Sequence, residues 1–239
     1  MNIAIITAGG SGRRMKRDIP KQFIKVYDKP VIVYTLEDFQ VHPLIDAIEV
    51  VCLDGWQDAL QTYIEQYGIS KVRWIVPGGS TVQESIRNGV YNLENTVSDD
   101  DTIIIHDSVR PLSDPTVLTD VIEKCHQYGN AVASLPDHEQ IFIVDEDDST
   151  ITERCVPRET LRRVYTPQAY KFRMLDDKYH EAFSKKTGIY GSSYTNTMMA
   201  DLGVKLHLAA GSKINIKITT SVDLELFKYI RENAGALRE

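Results

Sequence analysis

Hydrophobic residues in this chain fall into short unbroken runs separated by longer stretches of mixed polarity. Ile3-Ala4-Ile5-Ile6, Ile48 to Leu53, Val72 to Val76, Thr102 to His106 and Ala131 to Leu135 are such runs, and each predicts a strand. Between them, Val31 to His42, Trp56 to Tyr67, Thr81 to Leu93 and Asp114 to Gln127 carry apolar residues at helical spacing. Strands that do not alternate apolar and polar residues are buried on both faces. Set among helices, they predict an α/β fold with a doubly wound, mostly parallel sheet and right-handed crossovers.

The pattern changes after Leu135. "EQIFIVDEDDSTITERCVPRETLRRVYTPQ", Glu139 to Gln168, alternates apolar and polar residues, with Ile141, Ile143, Ile151 and Cys155 on the apolar side and Asp145-Glu146-Asp147-Asp148 as an acidic turn. This predicts a protruding β-arm at about 136–163, inserted between the later strands of a single domain spanning 1–239. A two-stranded ribbon is marginal in water by itself, so the arm is expected to lean on a second subunit.

Composition narrows the function classes. The formal net charge of -7 over 239 residues argues against a dedicated nucleic-acid binder, whose footprint would be basic. Local basic clusters remain able to bind a small anion. Cys52, Cys125 and Cys155 share no short spacing, which fits reduced thiols and neither a disulfide frame nor a zinc site. No apolar run reaches the length of a membrane span, and the first residues lead directly into a strand pattern without a signal peptide. The expectation is a cytoplasmic protein with no nucleic-acid or membrane partner.

Candidate chemistry begins in "ITAGGSGRRMKRDIPKQF", Ile6 to Phe23. A strand that runs into glycines at the carboxyl edge of a parallel sheet marks where such folds bind ligands. Gly9, Gly10 and Gly12 let backbone N–H groups converge into a nest for oxyanions. The segment is no P-loop, because Arg13-Arg14 follows Gly12 where Lys-Ser/Thr is required. It lacks the dinucleotide fingerprint as well, since Met15 stands where the third Gly or Ala belongs. Arg14 and Lys21 beside the nest suit a triphosphate whose charge must be held while one bond breaks.

Five segments carry a family resemblance: "TAGGSGRRM…PKQF", "PGGSTVQESIRNGV", "IHDSVRP", "VPRETLRRVYTPQ" and "INIKITTSVDLEL". In this order and spacing they resemble the cytidylyltransferases that make CDP-activated polyols, such as 2-C-methyl-D-erythritol 4-phosphate cytidylyltransferase and ribitol-5-phosphate cytidylyltransferase. The similarity runs from Met1 to about Ile230. It implies a fold of the nucleotide-diphospho-sugar transferase type and the transfer of CMP from CTP to a polyol phosphate with release of pyrophosphate. Such a reaction depends on positioning and charge neutralisation.

The resemblance implies Arg14, Lys21 and Lys217 as catalytic residues. It implies Thr7, Ala8, Gly9, Gly10, Ser11, Gly12, Gly79, Ser80 and Ser85 as the nucleotide-binding set. Lys217 lies between Ile216 and Ile218, so a strand there would turn it to the cleft and its neighbours to the core. Asp107 closes the Thr102 to Ile105 strand, where it can ligate Mg²⁺ or serve as a turn or capping residue. Arg110 can pair with a phosphate or hold Asp107, and His106 reads as structural. By resemblance, Arg158 grips the acceptor phosphate from an arm that reaches the neighbouring subunit of a homodimer, and His138 is a further substrate contact.

The chain departs from the family pattern in four places. Val82 stands where members often have Arg, His138 where they have Thr, and Asn196 and Thr197 replace two acids. The nucleotide half therefore looks intact and the acceptor half altered, which favours a pentitol phosphate such as ribitol 5-phosphate, used for cell-surface polymers. The alternatives are the methylerythritol phosphate enzyme of isoprenoid synthesis and a non-catalytic nucleotide-binding relative.

Overall fold

Residues 1–10, 19–191 and 194–233 are described by the computed structural model of the chain. The first strand, β1 (Asn2–Ala8), leads past a short 3-10 turn at Lys21–Phe23 into a small hairpin of β2 (Lys25–Val26) and β3 (Lys29–Pro30). Helix α1 (Val31–Val41), β4 (Ala47–Cys52), α2 (Gln57–Gln66), β5 (Val72–Pro77), α3 (Val82–Asn92), β6 (Thr102–Asp107), α4 (Pro115–Tyr128) and β7 (Asn130–Pro136) then alternate as the sequence predicts. Helix ends coincide with local chemistry. Thr81 Oγ1 accepts from Glu84 N at 3.1 Å to start α3. Asp114 caps α4 with Pro115 in its first turn, and α4 ends at Gly129 with φ 88°.

The arm strands β8 (Ile141–Ile143) and β9 (Arg154–Val156) come next, followed by β10 (Arg162–Lys171), α5 (Phe172–Lys185), α6 (Thr195–Asp201), β11 (Leu208–Ala209) and α7 (Ser221–Glu232). The main sheet has the order β11-β7-β10-β6-β1-β4-β5. Strands β6, β1, β4 and β5 run parallel, while β10 is antiparallel to both β6 and β7. The parallel sheet read from the apolar runs is thus interrupted by one strand. That strand returns from the arm and enters the sheet from the opposite end.

Successive residues of β1 are buried on opposite faces of the sheet. Ile3 and Ile5 pack with Ile86 of α3 and Leu175 of α5, while Ala4 and Ile6 pack with Leu36 of α1 and Val121 of α4. All four β1 residues have no exposed surface. Burial of each isoleucine is worth roughly 1.5–3 kcal/mol, so the centre of the sheet is the rigid part of the molecule. Residues at its carboxyl edge inherit that rigidity.

Two expectations are adjusted. The segment 214–218 forms no ladder with the sheet. Tertiary hydrogen bonds hold it, among them Ile218 N to Val109 O at 2.8 Å, Arg110 Nη1 to Asn215 O at 2.7 Å, and Asn215 Nδ2 to Thr166 O at 2.8 Å. Alternation survives without the strand, since Ile218 is buried while Lys217 is partly open. The arm is real but short. Its ladder pairs Ile141 with Val156 and Ile143 with Arg154, separate from the main sheet. Ile141, Phe142, Ile143, Val144 and Ile151 are all exposed on it.

Candidate active site

Three neighbouring carboxyl ends define one cleft. In register, Thr7 of β1 lies between Val51 of β4 and Asp107 of β6. The chain after β5 turns back against β4 through Gly78 N to Cys52 O at 2.7 Å. Gly9 and Gly10 after β1 and Thr81, Val82 and Ser85 at the start of α3 line the same space, at the edge where open α/β sheets bind ligands. The cleft has a volume of about 480 Å³, within the range of a small-molecule site.

The two glycine turns meet face to face. A Cβ at Gly9 would stand 2.9 Å from Ser85 Oγ. One at Gly79 would drive into Glu84, whose carbonyl carbon would be 2.9 Å away, so only glycine fits beside the start of α3. Ser85 Oγ accepts from Gly79 N at 3.0 Å and donates to Thr81 O at 2.9 Å, locking this second turn. The glycines therefore have a packing reason independent of any ligand.

Charge enters from three elements. Lys21 comes from the 3-10 turn and donates from Nζ to Ile218 O at 3.0 Å. Lys217 comes from the 214–218 segment, with Nζ 3.0 Å from Asp107 Oδ1 and 5.6 Å from the centre of the Tyr194 ring. On the other carboxylate oxygen, Arg110 Nε donates to Asp107 Oδ2 at 3.0 Å, and Thr166 Oγ1 lies 3.4 Å away. Burial alone would raise the Asp107 pKa. Lys217 and Arg110 more than reverse that and hold the carboxyl well below the usual carboxylate range. Asp107 is ionised throughout the working pH range.

The cleft brings together Thr7, Ala8, Gly9, Gly10, Lys21, Gly79, Ser80, Ser85, Asp107 and Lys217 from the expected set. Ser11, Gly12 and Arg14 lie outside the described residues. Arg110 is not among the lining residues; its guanidinium is engaged by Asp107 and Asn215, which favours the holding role over a phosphate contact. Arg158 and His138 are exposed on the arm and do not line this cleft. The nearest acid to Arg158 is its neighbour Glu159, at 3.5 Å. His106 is structural as expected: it is buried, lies 3.1 Å from both Arg110 O and Ser113 Oγ, and burial lowers its pKa to about 4.

Sequence reasoning missed two lining residues of consequence. Gln22 is buried and donates from Nε2 to Ala8 O at 2.7 Å and Gly10 O at 3.0 Å, so it ties the glycine turn back by both shoulders. It stood inside "PKQF", but a glutamine beside a lysine carries no signal of its own. Tyr194 lines the cleft opposite, at the start of α6. Its position depends on a buried relay in which Tyr179 Oη contacts Thr195 Oγ1 at 2.7 Å and donates to Gln83 Oε1 at 3.0 Å. Such a relay is tertiary and leaves no local pattern.

An ionised carboxylate flanked by lysines, two backbone turns and a helix N-terminus at one sheet edge define a site for a polyanionic nucleotide. Residues 2–233 match the family model described as 2-C-methyl-D-erythritol 4-phosphate cytidylyltransferase, and the chain belongs to that family of nucleotidyltransferases. It is 54% identical to the ribitol-5-phosphate cytidylyltransferase of Lacticaseibacillus paracasei over 97% of this chain and 99% of that protein. It is 35% identical to the 2-C-methyl-D-erythritol 4-phosphate cytidylyltransferase of Syntrophus aciditrophicus over 98% of each chain. The solved 4-diphosphocytidyl-2C-methyl-D-erythritol synthase from Anaerococcus prevotii has the same fold, with a TM-score of 0.81 at 21% identity over 97% of this chain and 96% of that one.

Proposed function

We propose that the protein transfers CMP from CTP to a pentitol phosphate, with ribitol 5-phosphate as the best candidate, giving CDP-pentitol and pyrophosphate. The observation that carries this reading is the convergence of Lys21, Lys217 and Asp107 on a cleft walled by two glycine turns. An acceptor phosphate oxygen forms a bond to the α-phosphorus of CTP, and the bond from that phosphorus to the β-phosphoryl oxygen breaks. Negative charge grows on the α-phosphoryl and leaving oxygens. Lys21 and Lys217 approach the cleft from different elements and neutralise that charge, while the backbone amides of the turns orient the triphosphate.

Among the described residues lining the cleft, Asp107 is the single carboxylate. It is ionised and lines a cleft suited to phosphates, a donor set that fits Mg²⁺, which takes one or two carboxylates beside substrate phosphates. Asp107 would hold that ion, whose contribution when bound is to neutralise phosphate charge. Similarity to the ribitol-5-phosphate enzyme supports the pentitol reading over methylerythritol phosphate. The neutral Asn196 and Thr197 at the start of α6, beside Tyr194, are consistent with an acceptor side of different polarity.

The arm supports a homodimer. Its row of exposed apolar residues needs a cover, and Arg158 does not line its own chain's cleft. On this reading it serves the partner's acceptor site. Among the described residues no helix is long and apolar enough to cross a membrane.

Pyrophosphate release with CTP and a panel of polyol phosphates tests the assignment. Ribitol 5-phosphate should give the highest kcat/KM. Preference for 2-C-methyl-D-erythritol 4-phosphate would overturn the acceptor, and silence with every polyol phosphate would overturn the activity.

A further inference from the structure

Away from the cleft, Glu94, Asp176 and His180 converge where the C-terminal end of α3 meets α5. One donor atom from each lies within 4.8 Å of the other two. His180 Nε2 is 3.1 Å from Glu94 Oε1 and 3.5 Å from Asp176 Oδ1. Four donors about 2.1 Å from a tetrahedral Zn²⁺ are separated by about 3.4 Å, so the two measured edges bracket the value such a site requires.

Two further features prepare the triad. The His180 ring stacks on Tyr91, with centroids 4.4 Å apart and planes 15° apart, which fixes the direction of Nε2. Asp176 Oδ1 is sealed from solvent and accepts no hydrogen bond, an arrangement that penalises a carboxylate. A cation among the three donors would remove this penalty.

We propose that Glu94, Asp176 and His180 form a binding site for a divalent transition ion, with Zn²⁺ the best match to one imidazole and two carboxylates. A water molecule would take the fourth position, because His180 is about half exposed. The ion would clamp α3 to α5. Since α3 is capped by Thr81 and carries Ser85, the clamp anchors the far end of the helix that holds the second glycine turn. None of the three residues lines the cleft, so the site is independent of the reaction proposed for it.

The test uses tag-free, chelator-stripped full-length protein. Zn²⁺ at 100-fold above its measured Kd should raise Tm by about 5–10 °C. Co²⁺ alone should give the intense visible bands of a four-coordinate ion. His180→Gln and Asp176→Asn should each abolish both signals while leaving the far-UV spectrum and pyrophosphate release unchanged. A missing Tm shift or Co²⁺ band in the wild type would overturn the site. So would an undiminished shift in His180→Gln, which would place the ion elsewhere, as at Asp107. His180 is exposed enough that its variant folds, and Glu94→Gln supplies a second variant at the protein surface.

Discussion

The ammonium of Lys217 sits 3.0 Å from the carboxylate of Asp107, a contact joining positions 110 residues apart. Arg110 holds the other carboxylate oxygen at 3.0 Å, so one partly buried anion lies between two cations. Removing Asp107 leaves Lys217 and Arg110 facing each other unneutralised. Removing Lys217 takes away a charge from the cleft while Arg110 still holds Asp107.

Lys217→Ala should therefore lower kcat by roughly 100-fold or more, the scale of a lost transition-state charge contact, with little change in Tm. Asp107→Asn should lower both. Its stability effect has a defined pH window. The folded pKa of Asp107 is depressed, so the ion cluster's contribution is present above the ordinary Asp pKa of about 3.9 and is lost as pH falls towards the folded value. Urea unfolding should show Asp107→Asn destabilised at pH 7, with the difference from wild type narrowing below about pH 4. A gap that stays constant down to pH 2.5 would mean that Asp107 stabilises through packing alone.

Gln22 yields a prediction on the nucleotide side. Its amide group donates to Ala8 O and Gly10 O, and the peptides between those carbonyls face the cleft. Gln22→Leu removes the Gly10 O donor and one of two donors to Ala8 O, which keeps Leu53 N, and a buried carbonyl left unpartnered costs about 1–3 kcal/mol. The turn would then lose its preset shape, so KM for CTP should rise tenfold or more while KM for the polyol phosphate changes little. Gln22→Glu should be worse, since it sets a carboxylate against two carbonyl oxygens. Unchanged CTP kinetics in both variants would reduce Gln22 to a packing residue.

How far the sequence discloses this architecture depends on whether the deciding interaction is local. β1 and β6 are legible because both faces of each strand are covered, which writes an unbroken apolar run, and the glycines after β1 follow directly. Asp107 is legible because a polar residue closes such a run. The antiparallel entry of β10 is not, since its direction is set by the arm that precedes it. "INIKI" alternates like a strand, yet it joins no sheet. Its place is fixed by Arg110, Val109 and Thr166, all distant in sequence. Gln22 and Tyr194 have roles that exist only once three or four elements have packed.

Glu49 gives a prediction that no motif suggested. It lies in β4 with no exposed surface, accepts from Asn92 Nδ2 at 2.8 Å through Oε2, and leaves Oε1 without a partner beneath Gly89 of α3. Burial pushes its pKa up to about 8. A raised folded pKa means that the folded state holds the proton more tightly than the unfolded state. The stability this supplies is full below the ordinary Glu pKa and is lost as pH rises through about 8. Glu49→Gln abolishes the ionisation, so it should gain a few kcal/mol over wild type at pH 9 and almost nothing at pH 5. Parallel Tm-against-pH curves for the two proteins would show that Glu49 is charged in the fold.

The arm makes the proposed dimer testable through shared sites. Its two strands form a separate ladder, and exposed Phe142 and Ile143 stand on one of them while Arg158 follows the other. A ribbon of this size is marginal alone, so an apolar cover from a second copy accounts for both its persistence and its composition. If the arm crosses over, Arg158 contacts acceptor phosphate in the partner's cleft, in the ground and transition states alike. Arg158→Ala should then raise KM for the polyol phosphate and leave CTP affinity nearly unchanged. Mixing Arg158→Ala chains with Lys217→Ala chains separates the two geometries. In a shared-site dimer, each mixed pair holds one cleft with both lesions and one with neither, so activity returns in about half of the clefts of the mixed dimers. If each chain uses its own arm, every cleft keeps one lesion and mixing restores nothing. Heterodimers isolated by two different affinity tags, and inactive, would end the crossing arm.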